Sequence, residues 1–177
     1  MQTLLIIDMQ KAWLEQPNHV FFELPAVVER INHAARSVRA SGGQVSFVMH
    51  NDAEAPLDSS EWQLIPSIEV AEGDLSVDKQ ACDSFTATDL LPMLSDNATS
   101  KLVLCGFATE FCFDTAVRAA ATKGFDVTVL ADAHTTSNRP HLDASSIVTH
   151  HNWIWSNMSV PVGNTLTVVK TLEAFPA

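Results

Sequence analysis

The stretch KLVLCGFATEFCFDTAVRAAATKGFDVTVL, residues 101–130, decides the fold. Residues 101–105 are a short apolar run of the length of a buried strand, and Gly106 breaks it. Residues 110–123 follow a helical pattern that Gly124 ends, and residues 127–130 form a second apolar run. Strand, helix, strand in this order implies a right-handed crossover between parallel strands. The same alternation extends in both directions. Residues 4–7 read as a strand stopped by Asp8. Residues 24–41 read as a helix with Val27, Val28, Ile31, Ala34, Ala35 and Val38 on one face, ended by Gly42-Gly43. Strands are expected at 44–50, 75–77 and 166–169, helices at 88–94 and 142–157, and a loop over 51–66.

Six strands separated by helices predict a three-layer α/β/α domain. Its sheet is doubly wound, six-stranded and mostly parallel, Rossmann-like in plan. A closed eight-unit barrel needs about 250 residues, and this chain has 177. One domain over 1–177 accounts for the whole length. With 21 acidic and 10 basic residues the net charge is −11. The basic residues form no cluster, so a nucleic-acid partner is not expected. No apolar run reaches the roughly 18 residues of a membrane span. The N-terminal apolar run is too short for a signal segment and lacks a basic flank. Three cysteines make no disulfide framework. The expected location is therefore cytoplasmic, away from membranes.

Sheets of this kind carry their sites at the carboxyl ends of the strands. The polar residues there are Asp8, His50, Lys79, the run from Gly106 to Cys112, and then Asp132 and His134. Cys112 lies just past a strand, in the first turn of the next helix. Backbone N–H groups favour an anion there, so the thiol pKa is expected to fall and the thiolate to act as a nucleophile. The residue also reads as a small buried hydrophobe. Asp8 can share a proton with a thiol, or merely cap a helix. Lys79 can pair with a carboxylate and a thiolate, or stand solvated. All three at one crevice make a candidate catalytic group.

Three blocks in order carry a resemblance to the isochorismatase-like cysteine hydrolases. They are Leu5-Ile6-Ile7-Asp8-Met9-Gln10, Lys79-Gln80-Ala81-Cys82-Asp83-Ser84-Phe85, and Gly106-Phe107-Ala108-Thr109-Glu110-Phe111-Cys112-Phe113-Asp114. The resemblance implies a triad of Cys112, Asp8 and Lys79. Asp8 would be the general acid and base, and Lys79 would stabilise the thiolate. It also implies a cis peptide at Phe107–Ala108, with the N–H groups of Ala108 and Cys112 as an oxyanion hole. The implied reaction is hydrolysis of a small amide or ester through a thioester on Cys112. Family members are commonly dimers or tetramers, so a homo-oligomer is expected, with Trp153 and Trp155 as candidate contacts.

The departures from the family pattern narrow the reading. Nicotinamidases in the family bind a metal through an aspartate and several histidines. Here His50 stands with only Asp52 and Glu54 nearby, so no metal and no cofactor is expected. His50 instead reads as a substrate contact or a strand-end hydrogen-bond donor. Members acting on isochorismate lack the cysteine, so Cys112 argues against that substrate. Candidate pocket walls are Trp13, Trp62, Phe107 and Phe111, while Phe113 reads equally as core. Cys82 and Cys105 are expected to be buried and inert. A non-catalytic ligand-binding or interaction domain is the competing reading. A dinucleotide binder is not favoured, because no Gly-x-Gly-x-x-Gly follows the first strand.

Overall fold

Successive residues of β1 (Gln2–Ile7) point to opposite faces of the sheet, and both faces are buried. Leu4 and Ile6 pack with α2 (Leu24–Ala40). Leu5 and Ile7 pack on the other side, with α3 (Leu90–Asp96), α4 (Asp114–Thr122) and α5 (Ala144–Ser156). That two-sided burial is why the strands read as unbroken apolar runs instead of alternating ones. The remaining strands are β2 (Gln44–His50), β3 (Leu75–Lys79), β4 (Lys101–Phe107), β5 (Asp126–Thr135) and β6 (Leu166–Val169). Their order across the sheet is β3-β2-β1-β4-β5-β6. Every pairing is parallel. The computed structural model describes residues 1–17 and 19–176.

The chain reverses its direction of winding between β1 and β4, which sit side by side at the centre. The crevice at such a switch point is the usual ligand position. β1 and β4 contribute Asp8 and the segment leading to Cys112 to this crevice. Gly106 makes the close approach possible. Its φ is +129°, and a Cβ there would collide with the Ile7 carbonyl oxygen and lie 2.6 Å from the Ile7 nitrogen.

Several elements differ from the sequence expectation. Two one-turn helices, α1 (Lys11–Leu14) and α6 (Thr171–Ala174), follow β1 and β6. The helix expected over 110–123 begins instead as a π-helical turn, Thr109–Phe113, and Phe111 has non-helical angles at the break. β5 runs past Leu130 because its register against β4 shifts between Leu104 and Gly106. This bulge carries His134 and Thr135 up to the site end of the sheet. Trp155 is fully buried against Phe113 and His134, so it cannot be an oligomer contact. Trp153 remains exposed. Among the described residues no helix is long and apolar enough to cross a membrane.

Candidate active site

Lys79 is the hub of the site. Its side chain enters from the end of β3 with no solvent exposure. The ammonium nitrogen lies 2.9 Å from Asp8 Oδ2, 3.0 Å from His50 Nδ1, 3.1 Å from the Ala81 carbonyl oxygen and 3.1 Å from Cys112 Sγ. Burial alone would lower the Lys79 pKa, but Asp8 and Cys112 outweigh it and the pKa rises. The lysine is therefore charged. His50 Nδ1 meets this cation with its lone pair, and its Nε2 faces Asp52 Oδ2 at 3.5 Å. Asp8, His50 and Cys112 offer ligand atoms within 4.8 Å of one another, spacing that suits a small cation. The Lys79 ammonium is already in hydrogen-bond range of all three.

Asp8 is held in a left-handed conformation, φ 49°, with its N–H on the Val48 carbonyl at 2.9 Å. Aspartate tolerates that conformation better than most residues. Burial raises its pKa, and Lys79 opposes the rise without cancelling it. One carboxylate oxygen binds Lys79, while Oδ1 is buried without a partner. An unpartnered buried carboxylate oxygen is costly, and it is available to take a proton.

The Cys112 thiol corrects the expectation of a lowered pKa. Burial and the neighbouring Asp8 carboxylate push it up, and Lys79 only partly offsets them. Cys112 lies in the π-helical turn ahead of α4, where the Asp8 carboxylate faces it and opposes the pull of the helix terminus on the thiol. The turn itself is braced from below. Asn152 Nδ2 donates to the Ala131 carbonyl, which leaves Asn152 Oδ1 to accept from His134 Nε2 at 3.1 Å. His134 Nδ1 then accepts from Thr109 Oγ1 at 2.9 Å. Burial holds His134 neutral, with its pKa lowered to about 4.

A cleft of about 290 Å³ opens over Cys112. Trp13, His50, Phe107, Ala108 and Phe111 line it. The Phe107–Ala108 peptide is cis. Among the described residues the Ala108 N–H donates to no backbone carbonyl, whereas its carbonyl accepts from Phe111 and Phe113. Trp62 is a correction: it lines a neighbouring depression with Phe47 and Met49. The loop that carries it is drawn along α1 by bonds from Lys11 N–H to Gln63 and from Ala12 N–H to Glu61. Cys82 is another correction, exposed and on the cleft wall; Cys105 is buried as expected.

Sequence reasoning missed two residues. Gln10 donates to the His50 and Trp62 carbonyls, both at 2.8 Å, and accepts from the His50 N–H at 2.7 Å. It ties β1, β2 and the 51–66 loop together beneath the site. The signal was a glutamine in an apolar setting two residues after Asp8. Arg139 reaches the cleft from the segment after β5. The bulge that brings it there leaves no trace in the sequence pattern.

A family model described as Isochorismatase domain matches residues 2–167. A secreted isochorismatase effector of Verticillium dahliae is 30% identical over 149 residues, covering 82% of this chain and 78% of that protein. An N-carbamoylsarcosine amidase from an Arthrobacter species is 29% identical over 143 residues, 67% of this chain and 53% of that protein. A crystal structure of an isochorismatase family protein superposes with a TM-score of 0.87 and 31% identity, covering 96% of this chain and 98% of that one. Motif order, sheet topology and these likenesses converge on one conclusion: the chain belongs to the isochorismatase family of hydrolases.

Proposed function

We propose that the protein hydrolyses a small amide, or an ester, through a covalent thioester on Cys112. The observation that carries this reading is one buried ammonium, Lys79, in contact with both the Asp8 carboxylate and the Cys112 sulfur. Asp8 takes the thiol proton as sulfur attacks the acyl carbon. The oxyanion sits on the N–H groups of Ala108 and Cys112, and one such donor is worth about 3–4 kcal/mol of barrier. The C–N bond breaks as Asp8 returns the proton to the leaving amine. Water then attacks the thioester, Asp8 accepts its proton, and the acid leaves as that proton returns to Cys112.

Lys79 supplies a fixed positive charge throughout, so the cycle needs neither a metal nor a cofactor. The amide preference draws on the relative named as an amidase. A cleft of about 290 Å³ is at the small end of ligand pockets, which suits a small substrate. The three free cysteines fit a reducing compartment, and we place the enzyme in the cytoplasm. The Verticillium dahliae relative is, by its name, secreted. A homodimer or tetramer is the assembly to look for by light scattering.

The test is to incubate the protein with a panel of activated anilides and aryl esters, quench in acid and weigh it. The expected product is an acyl adduct mapped to Cys112 and absent in Cys112→Ala. The absence of both adduct and turnover across the panel would sink the proposal.

A further inference from the structure

Helix geometry alone does not hold the turn that carries Cys112. The turn spans Thr109–Phe113, and its helical angles break at Phe111, one residue before the nucleophile. A regular helix fixes its N–H groups through repeating backbone bonds. At a break, other contacts have to fix them. Thr109 Oγ1 is tied to His134 at the start of the turn, and the Phe111 carbonyl accepts from Thr115 Oγ1 at 2.8 Å. The side chains of Glu110 and Phe111 are both held by a single residue, Arg139.

Arg139 Nε donates to Glu110 Oε1 at 2.6 Å, and Thr136 Oγ1 donates to the same oxygen at 3.0 Å. The terminal nitrogens of Arg139 donate to Ser137 Oγ at 3.2 Å and to Thr136 Oγ1 at 3.1 Å. The guanidinium carbon lies 5.1 Å from the centre of the Phe111 ring. An ion pair thus grips one side chain of the turn, and a cation–π contact grips the next. The Glu110 and Arg139 side chains are 16% and 29% exposed, so solvent screens their attraction less than it screens a surface pair. The other end of the clamp is anchored as well. Arg139 N–H donates to the Leu142 carbonyl at 2.8 Å, and the Thr136 carbonyl accepts from Phe22 N–H at 2.9 Å. Among the described residues, this network shares no hydrogen bond with the one around Lys79.

We infer that the Glu110–Arg139 pair positions the nucleophile turn: it aims the Cys112 N–H at the oxyanion, while Asp8 and Lys79 govern the sulfur. This rests on the hydrolase reading above and adds the residues that orient its oxyanion hole. Both act through the turn and are positioning residues, not catalytic ones. An oxyanion donor works only at the right distance and direction from the developing charge, and losing one costs about 10²–10³-fold in rate.

Two reactions of the same sulfur separate aim from reactivity. Acylation by p-nitrophenyl acetate passes through an oxyanion and expels nitrophenolate. Alkylation by iodoacetamide displaces iodide and develops no oxyanion. Both probes are uncharged, so the charge of Arg139 attracts neither. Both adducts are quantified at Cys112 by peptide mass spectrometry, so that Cys82 and Cys105 do not count. The ratio of the acylation rate to the alkylation rate cancels any change in the thiol itself. It should fall about tenfold or more in Glu110→Ala. In Glu110→Gln, which keeps the length and loses the charge, it should fall about threefold or more. The losses in Glu110→Ala and Arg139→Met should not multiply in the double variant, because the pair acts as a unit. An unchanged ratio in either folded Glu110 variant overturns the positioning role, whether both rates hold or both fall together, and leaves the hydrolase reading intact. Losses that multiply in full overturn the pair as a unit. No acylation of Cys112 in the wild type, with iodoacetamide still reacting, overturns the hydrolase reading and the positioning role with it.

Discussion

At the scale of single residues, nucleophile reactivity and catalysis come apart at Cys112. Burial and Asp8 both push the thiol pKa up, and Lys79 pulls it down. Asp8→Asn removes a neighbouring negative charge, so the thiol pKa should drop and alkylation by neutral iodoacetamide should quicken near neutral pH. The same change removes the proton acceptor, so hydrolysis should fall by roughly 10²–10⁴-fold. Lys79→Met should act oppositely on the thiol and move its alkylation profile to higher pH. A pH–rate series for the three proteins checks both signs. Slower alkylation in Asp8→Asn would show that the carboxylate activates the resting thiol. The three residues themselves were legible, because each lies at or shortly after the carboxyl end of a strand. The sign of the thiol shift was not, because it depends on a carboxylate more than a hundred positions away in sequence. The same limit hid Cys82 on the cleft wall, and it placed Trp62 there wrongly.

At the scale of elements, the β4–α4 connection controls the site. Gly106 has two reasons to be glycine: a φ of +129° and direct contact with the Ile7 backbone. Gly124 has only the first, with φ +88° and nothing nearer to an added Cβ than Asn164 Oδ1 at 4.0 Å, an ordinary contact. Gly124→Ala should therefore cost about 1–2 kcal/mol, the left-handed penalty alone. Gly106→Ala adds an overlap with backbone that cannot swing away, and should cost about 3 kcal/mol or more. Urea midpoints compare the two, and equal losses would show that β1 and β4 separate easily. Strand positions were read from apolar runs to within a few residues, with β2 and β6 matching at both ends. The π-helical turn and the β5 bulge were not read. Both are departures from the ladder of hydrogen bonds, made for tertiary reasons, and neither alters the hydrophobic period that sequence reading uses. The one-turn helices α1 and α6 are too short to show a period at all.

At the scale of the molecule, stability and the site share a single buried histidine. His134 is packed between Phe113 and Trp155 and hydrogen-bonded at both ring nitrogens. Burial lowers its pKa from 6.5 to about 4, with His151 adding to the fall and Asn152 and Asp132 opposing it. Above pH 6.5 the ring is neutral folded or unfolded, and its packing contributes in full. As pH falls from 6.5 toward 4, only the unfolded chain gains the proton, so stability is lost across that window. A shift of this size corresponds to roughly 3 kcal/mol. His134→Gln has no such proton to gain. The stability difference between wild type and His134→Gln, from urea unfolding at pH 7, 5.5 and 4, should therefore move by up to that amount in the variant's favour as pH falls. A constant difference would mean that the ring is not held neutral in the fold. Because His134 also accepts from Thr109 in the nucleophile turn, its protonation takes away the acceptor that braces Cys112. Loss of Cys112 reactivity should then set in at the acid end of the same window, before the sheet unfolds.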